Sequence, residues 1–295
     1  MSVKIKQSRS DRIFDIINIT ILSMVMIIIL YPLIFVVSAS FSETMLVIQG
    51  KVRFLPKGLN LEAYKAVFRN ENIITGYKNT IAYTFVGTIV NLIMTTIGAY
   101  PLSRKDFRGR TIFTLFFMFT MFFSGGLIPT YLVIKKLGLY DNFWVMILPG
   151  AISVWNMTIM KSFFATSIPT ELQEAAVIDG CGNIGVLRKI VIPLSFPILA
   201  VMLMYYGVAH WNSFFTALIY IPDSKKYPLQ LVIRGILIQN DMAEMLDADA
   251  AVQQKMLAEG IKYAVIVVSS LPVLLLYPIL QKYFVKGVML GAVKG

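Results

Sequence analysis

Six stretches of the chain run without an Asp, Glu, Lys or Arg: Ile16–Ser42, Asn79–Ser103, Thr111–Ile134, Asn142–Met160, Ile190–Pro222 and Tyr263–Gln281. Each reaches or exceeds the ~18–20 residues that a helix needs to cross about 30 Å of hydrocarbon. The pattern predicts an all-α membrane protein with six transmembrane helices, over about 14–38, 79–102, 111–134, 142–164, 193–221 and 262–284. A short arm (1–13) precedes them and a tail (285–295) follows. Two outer segments separate spans, one running to about residue 78 and one over 222–261, with a polar island at 165–192 between spans four and five.

Local signals refine this. In the first outer segment "RFLPKGLN" reads as a turn, because Pro-Lys-Gly supplies a fixed φ and then a permissive residue. Leu61, Tyr64, Lys65 and Phe68 fall at helical spacing, so 61–70 is a helix lying either along the membrane interface or on the protein itself. Span three contains Gly125, Gly126 and Pro129, which should kink or interrupt it, and span four carries Pro149 and Gly150. A broken helix at membrane depth survives only where protein or a watery cavity covers its freed backbone groups.

Composition agrees with the blocks. Hydrophobic residues make up 57% and charged residues 15%, against roughly 45–50% and about 25% in soluble domains. The net charge of +11 would suit a nucleic-acid partner, but its distribution is that of a topology signal. Fourteen of the 27 basic residues fall in the proposed inner segments, Arg104, Lys105, Arg108 and Arg110 among them, and only Lys135 and Lys136 in the short outer loop. Long loops obey the positive-inside rule poorly, so the rest weigh little. Both termini are then cytoplasmic, and nucleic acid is not expected as a partner. The N-terminus imitates a signal peptide, but its apolar core exceeds the usual 7–15 residues, so a retained first span is expected. The lone Cys181 forms no internal disulfide.

The island "ELQEAAVIDGCGNIGVLRKIVIP" (Glu171–Pro193) is too elaborate for a plain connector. Thr170 and Gln173 have capping-box spacing, and Glu171 and Glu174 occupy the first turns, where the helix dipole favours negative charge. Leu172, Ala175, Ala176 and Asp179 share a face, and Gly180 stands where a left-handed cap would stop the helix. A second short helix follows from about 183, with Ile184, Leu187 and Val191 on one face. Two readings remain: a plug for another protein's groove, or an amphipathic connector resting on membrane lipid. The acidic face favours the first, since an anionic inner leaflet would repel it.

Glu174-Ala175-Ala176, Gly180 four residues on, and Ile190-Val191-Ile192-Pro193 after nine more resemble the EAA loop of ABC importer permeases. The family usually has leucine where this chain has Ile192. "IPTELQEAAVIDG" and "VIPLSFPILAV" are similar to the second permease of maltose-type carbohydrate importers. "FSGGLIPTYLVIKKLGLYDNFWVMILPGAISVWNMTIMKSFF" and "KYFVKGVMLGAVKG" resemble permeases for oligosaccharide and polysaccharide-fragment uptake. The resemblance implies a type I permease fold and a heterodimer with a homologous permease. It also implies two ABC ATPase subunits that bind ATP and magnesium, and a lipid-anchored extracellular solute-binding protein met by the loop 222–261. The island would be the coupling helix, with Glu171, Glu174, Ala175, Ala176, Asp179 and Gly180 against the ATPase.

Absences point the same way. The sole Gly-Lys pair, Gly50-Lys51, is followed by Val52, so no P-loop and no nucleotide cofactor is expected in this chain. The six uncharged stretches hold no ionisable relay of the kind ion-coupled pumps keep. One histidine excludes a multi-histidine metal site, so the chain is not expected to be an enzyme. Sugars are held by aromatic faces and neutral polar groups. Tyr205, Tyr206, His210, Trp211 and Asn212 in span five, and Trp155-Asn156 in span four, offer both kinds for a substrate path. Aromatic anchoring in the bilayer remains the plain alternative. An importer permease for another solute class, or a self-sufficient facilitator, would share the architecture.

Overall fold

A computed structural model describes residues 8–244 and 259–276, with 278 and 281. The tail at 285–295, the end of the second outer segment (245–258) and the first seven residues lie outside the described residues. Among those described there is no strand. Two compact units form, one from 1–70 with 236–270, the other from 71–235 with 271–295.

In the first unit α1 (Arg9–Ser40) starts at a full capping box, Ser8 and Asp11 exchanging hydrogen bonds. Within this unit its apolar side chains from Ile13 to Ile34 are mostly exposed, as suits a helix whose solvent is lipid. Its C-terminal end is covered, where Ala39 packs with Val47 and Val52. A one-turn helix, Thr44–Ile48, and α2 (Glu62–Arg69) complete this outer segment. Tyr64 of α2 stacks on Phe41 at 4.9 Å and hydrogen-bonds Ser40 at 2.8 Å.

The second unit is organised around α3 (Glu71–Ser103), whose 33 residues span about 50 Å. Gly76, Gly87 and Gly98 recur at eleven residues, a spacing that keeps one line along a helix. A Cβ would meet the Leu229 backbone at Gly76, the His210 ring at Gly87 and the Met157 sulfur at Gly98. These close approaches seat the neighbouring elements. Side chains near the N-terminal end of α3 also hold the 225–229 segment. Asn79 donates to the Lys225 and Tyr227 carbonyls, Tyr83 donates to the Lys226 carbonyl, and Thr80 accepts from the Leu229 amide.

The third apolar run is two helices, α4 (Arg110–Phe122) and α5 (Leu127–Lys136), bent by 113°. Gly126 there has φ +86°, which only glycine adopts without strain. The fourth has a short irregular turn over Phe143–Gly150, then α6 (Val154–Ser167) at 52°. The island follows as α7 (Thr170–Ile178) and α8 (Asn183–Leu194), and α8 meets α9 (Phe196–Trp211) at 82°. Then come α10 (Phe215–Tyr220), α11 (Leu229–Glu244) and α12 (Glu259–Leu276). Among the described residues three helices are long and apolar enough to cross a membrane alone, and up to six crossings result if each bent pair counts as one. Part of the expected outer loop 222–261 is thus a regular helix, α11.

Freed backbone groups at the break in the fourth run are met from α3. The Asn91 amide, 1% exposed, donates to the Gly150 carbonyl at 2.6 Å and to the Ala151 carbonyl at 2.9 Å. Its nitrogen being so placed, Oδ1 accepts, and His210 Nε2 donates to it at 2.6 Å. Tyr206 shares a 2.7 Å hydrogen bond with Thr95 and accepts from the Ser153 amide.

Candidate functional site

Pro169, with φ −56°, stands at the N-cap of α7, so Thr170 is the first helical residue and no side chain caps the helix. The capping box expected from Thr170 and Gln173 does not form, because the fixed proline φ already sets the helix entry one residue earlier. Glu171 lies in the first turn, on the favourable side of the dipole.

The stop at Gly180 is a full Schellman motif. Gly180, at φ +81°, donates to the Val177 carbonyl and Cys181 donates to the Ala176 carbonyl. Ala176 and Cys181, the two residues the motif brings together, both pack on the core formed by Met160, Phe164 and Val186. A β-carbon at Gly180 would meet nothing, so its requirement is for backbone conformation alone. Beyond it, Val186 and Val191 bury themselves and Leu187 half-buries, which anchors α8, while Ile184 stays 74% exposed.

So Ala176 faces the chain's own interior, whereas Glu171, Leu172, Glu174, Ala175, Val177 and Asp179 are free. Ile178 is 85% exposed, a bare aliphatic knob at the end of an acidic helix. Nothing in its spacing singles it out, since an apolar residue on a polar island reads as packing.

A second overlooked residue fixes the island from outside it. Arg104, just past α3, makes a two-pronged bond to Asp106 at 2.8 and 2.7 Å. Its remaining nitrogen donates to the Tyr100 hydroxyl at 3.2 Å and to Gln173 Oε1 at 3.1 Å. The Asp106 hydrogen bond raises the Arg104 pKa, and Arg104 in turn holds the Asp106 carboxyl below its ordinary value. With the carboxylate pKa depressed, the pair's contribution is present above the ordinary range near 4 and is lost as pH falls through the lowered value. Between this loop and α7 lies a charged cleft of about 750 Å³, walled by Arg104, Lys105 and Arg110 on one side and Glu171 and Glu174 on the other.

The seven residues expected along a substrate path are scattered in environment. Tyr206 and Trp211 are buried, Trp211 edge-on to Tyr77 at 6.0 Å, and His210 is half-buried on Asn91. Asn156 is half-buried at the start of α6, its amide donating to Ser153 Oγ. Trp155 is 62% exposed and Tyr205 43%. The exposed Asn212 donates to the Val208 carbonyl and accepts from Gln230. Tyr206, His210 and Trp211 thus serve packing and bonding within the chain, Asn156 is partly covered, and Trp155, Tyr205 and Asn212 present surface.

Helices broken at membrane depth around a long central one, with a polar two-helix elbow held off the end, define a membrane permease. The chain belongs to the family described as binding-protein-dependent transport system inner membrane component, whose model matches residues 73–290. It is 43% identical to protein LplC of Bacillus subtilis, over 98% of this chain and 97% of that one. It is 42% identical to the polygalacturonan/rhamnogalacturonan transport system permease YtcP of the same organism, over 97% and 99%. The fold matches a chain in the crystal structure of a bacterial ABC transporter that imports the acidic polysaccharide alginate. There the TM-score is 0.85 and the identity 35%, covering 95% of this chain and all of the other.

Proposed function

We propose that this chain is one of two homologous permease halves of an ATP-driven importer in a bacterial cytoplasmic membrane. It receives an oligosaccharide, of the uronate-bearing kind, from an extracellular binding protein. Both termini face the cytoplasm, and α7–α8 seats in a cleft of a separate ATPase subunit. One observation carries the coupling role: an acidic helix with a bare Ile178 tip, stopped by a Schellman turn and braced by Arg104, presents an outer face that packs on nothing among the described residues. The substrate class is supported by relatives whose names specify polygalacturonan, rhamnogalacturonan and alginate. The six uncharged stretches contain no cation to pair with a uronate, so recognition of acid falls to the binding protein.

In the reconstituted complex with its binding protein, oligogalacturonates should raise ATP turnover several-fold and maltooligosaccharides should not. The reverse preference would sink the uronate reading. A response to neither, with one to amino acids or peptides, would sink the sugar reading. Solute flux from liposomes holding this chain without an ATPase would establish a facilitator instead.

Arg104→Lys keeps the charge but loses the fork that reaches Asp106 and Gln173 together. Uptake per ATP hydrolysed is expected to fall about two- to fivefold, a loss near the worth of one hydrogen bond. Gln173→Leu should mimic it, and the double variant should be no worse than either alone. Additive losses would show that the brace does not act through Gln173.

A further inference from the structure

The loop between α1 and α2 presents cations and apolar side chains on one pinned hairpin. Gly50 and Gly58, at φ +67° and +61°, turn its two ends. Val52 is buried against Ala39 and Val47, which fixes the loop to its unit. The Ser38 hydroxyl donates to the Phe54 carbonyl at 2.7 Å, the Lys57 backbone amide donates to Ser42 Oγ at 3.0 Å, and the Glu43 backbone amide donates to the Lys57 carbonyl at 3.0 Å. The Phe54 ring meets Tyr31 of α1 edge-on, centroids 5.4 Å apart.

That last contact gives the loop a depth. Counting about 20 helical residues from Ile16, where the charges of α1 end, puts the outer limit of the hydrocarbon near residue 36. Ser38 lies just outside that limit and Tyr31 just inside it, so a loop bonded to both lies in the headgroup layer. Aromatic side chains concentrate at that level. On the N-terminal side of the covered end, the most apolar window of α1 has no residue buried, which suits contact with lipid.

The side chains suit that layer. Leu55 is 74% exposed and Leu59 81%, with Phe54 also exposed, although the loop is polar in its surroundings. Lys51, Arg53 and Lys57 are exposed on the same hairpin and line a concavity of about 480 Å³ with Phe54 and Leu55. Among the described residues none of the three cations has an ion-pair partner. Glu43, the carboxylate beside the loop, lies against Gly58 instead. Three unpaired cations with stems over apolar side chains match the phosphates and upper acyl carbons of an acidic phospholipid. A soluble receptor would have no call on three bare apolar side chains at that depth.

We infer that the hairpin Gly50–Leu59 is an acidic-phospholipid site that fastens the outer end of α1 to the headgroup layer. This rests on the topology proposed above, which places the hairpin outside. The test uses the assembled transporter purified from bilayers of phosphatidylcholine with phosphatidylglycerol, with retained lipid counted by native mass spectrometry. The wild type should retain phosphatidylglycerol in excess over its share. Replacing Lys51, Arg53 and Lys57 by Gln together should cut that enrichment roughly tenfold, whereas Lys135→Gln with Lys136→Gln should leave it intact. Leu55→Gln with Leu59→Gln, which keeps all the charges, should lower it less. Equal retention by the triple variant overturns the site. So does a triple variant that keeps its lipid but loses stimulation by the binding protein, which would assign the hairpin to the receptor. Sidedness is read separately: Leu55→Cys in a Cys181→Ser chain should react with an impermeant maleimide in spheroplasts. Unreactive Leu55→Cys with intact lipid retention would fault the topology and not the lipid site.

Discussion

Gly180→Pro should abolish uptake, by at least an order of magnitude, while the chain still inserts and the partner ATPases still hydrolyse ATP. At φ +81° the native backbone is out of reach of a proline, which is locked near −65°. The substitution also removes the amide that Gly180 donates to the Val177 carbonyl, one of the two bonds that close the Schellman turn. Those losses are on the order of 3 kcal/mol, enough to shift the elbow between α7 and α8 by about a hundredfold in population. Little else changes, since the space around Gly180 is open. Gly180→Ala separates strain from the lost bond. It keeps the amide and carries only the left-handed penalty of about 1–2 kcal/mol, so its uptake should fall between wild type and proline. Glu174→Lys reverses charge on the free face without touching the turn and should also uncouple. Paired measurements of sugar uptake and ATP turnover in vesicles decide the matter. Normal uptake in both Gly180→Pro and Glu174→Lys would end the docking role.

The second large effect is expected deep in the second unit. Asn91→Leu keeps the bulk at a site that is 1% exposed but leaves the Gly150 and Ala151 carbonyls and the His210 Nε2 without their partner. Each buried orphan costs about 1–3 kcal/mol, since no water replaces the bond there. Allowing for relaxation, a net loss of about 2–3 kcal/mol lowers Tm by roughly 5–10 °C for a unit of this size. Thr95→Val removes the Tyr206 bond alone and should cost less. Gly87→Ala should act in the direction of Asn91→Leu, because its new methyl would displace the His210 ring from the same network. Thermal unfolding of purified protein in one detergent compares all three. If Asn91→Leu melts with the wild type, the break in the fourth run does not depend on α3.

Features governed by neighbouring residues were open to sequence reasoning. The break at Gly125-Gly126 and the cap at Gly180 both follow from a backbone angle that glycine alone adopts easily. The island's two helices follow from spacing and a glycine between them. The start of α7 was misplaced by one residue for an equally local reason, proline outcompeting the threonine hydroxyl for the entry position. What could not be read was which way side chains point inside the membrane unit. A soluble helix advertises its buried face by polarity on the other, but α3 is apolar towards both lipid and protein. Its inward side mixes Thr80, Asn91 and Thr95 with Tyr83, Ala99 and Leu102, so polarity does not mark it off from the lipid side. For the same reason the aromatic run at 205–211 did not reveal that Tyr206 and Trp211 are buried within the chain while Tyr205 is exposed. Pairings such as Arg104 with Gln173, or Asn91 with His210, join residues 69 and 119 positions apart and leave no trace in local spacing.

The notches at Gly76, Gly87 and Gly98 make α3 a ruler as well as a scaffold. Three separate segments of chain are gauged against marks on one rod, so its length between the marks matters more than the identity of most residues there. One residue added between Gly87 and Gly98 would swing the lower mark by about 100° and slide it about 1.5 Å. Met157 would then face a side chain where it now faces a gap. Substitutions on the lipid side of such a rod leave these marks in place, whereas an insertion or a deletion between them moves one against the others.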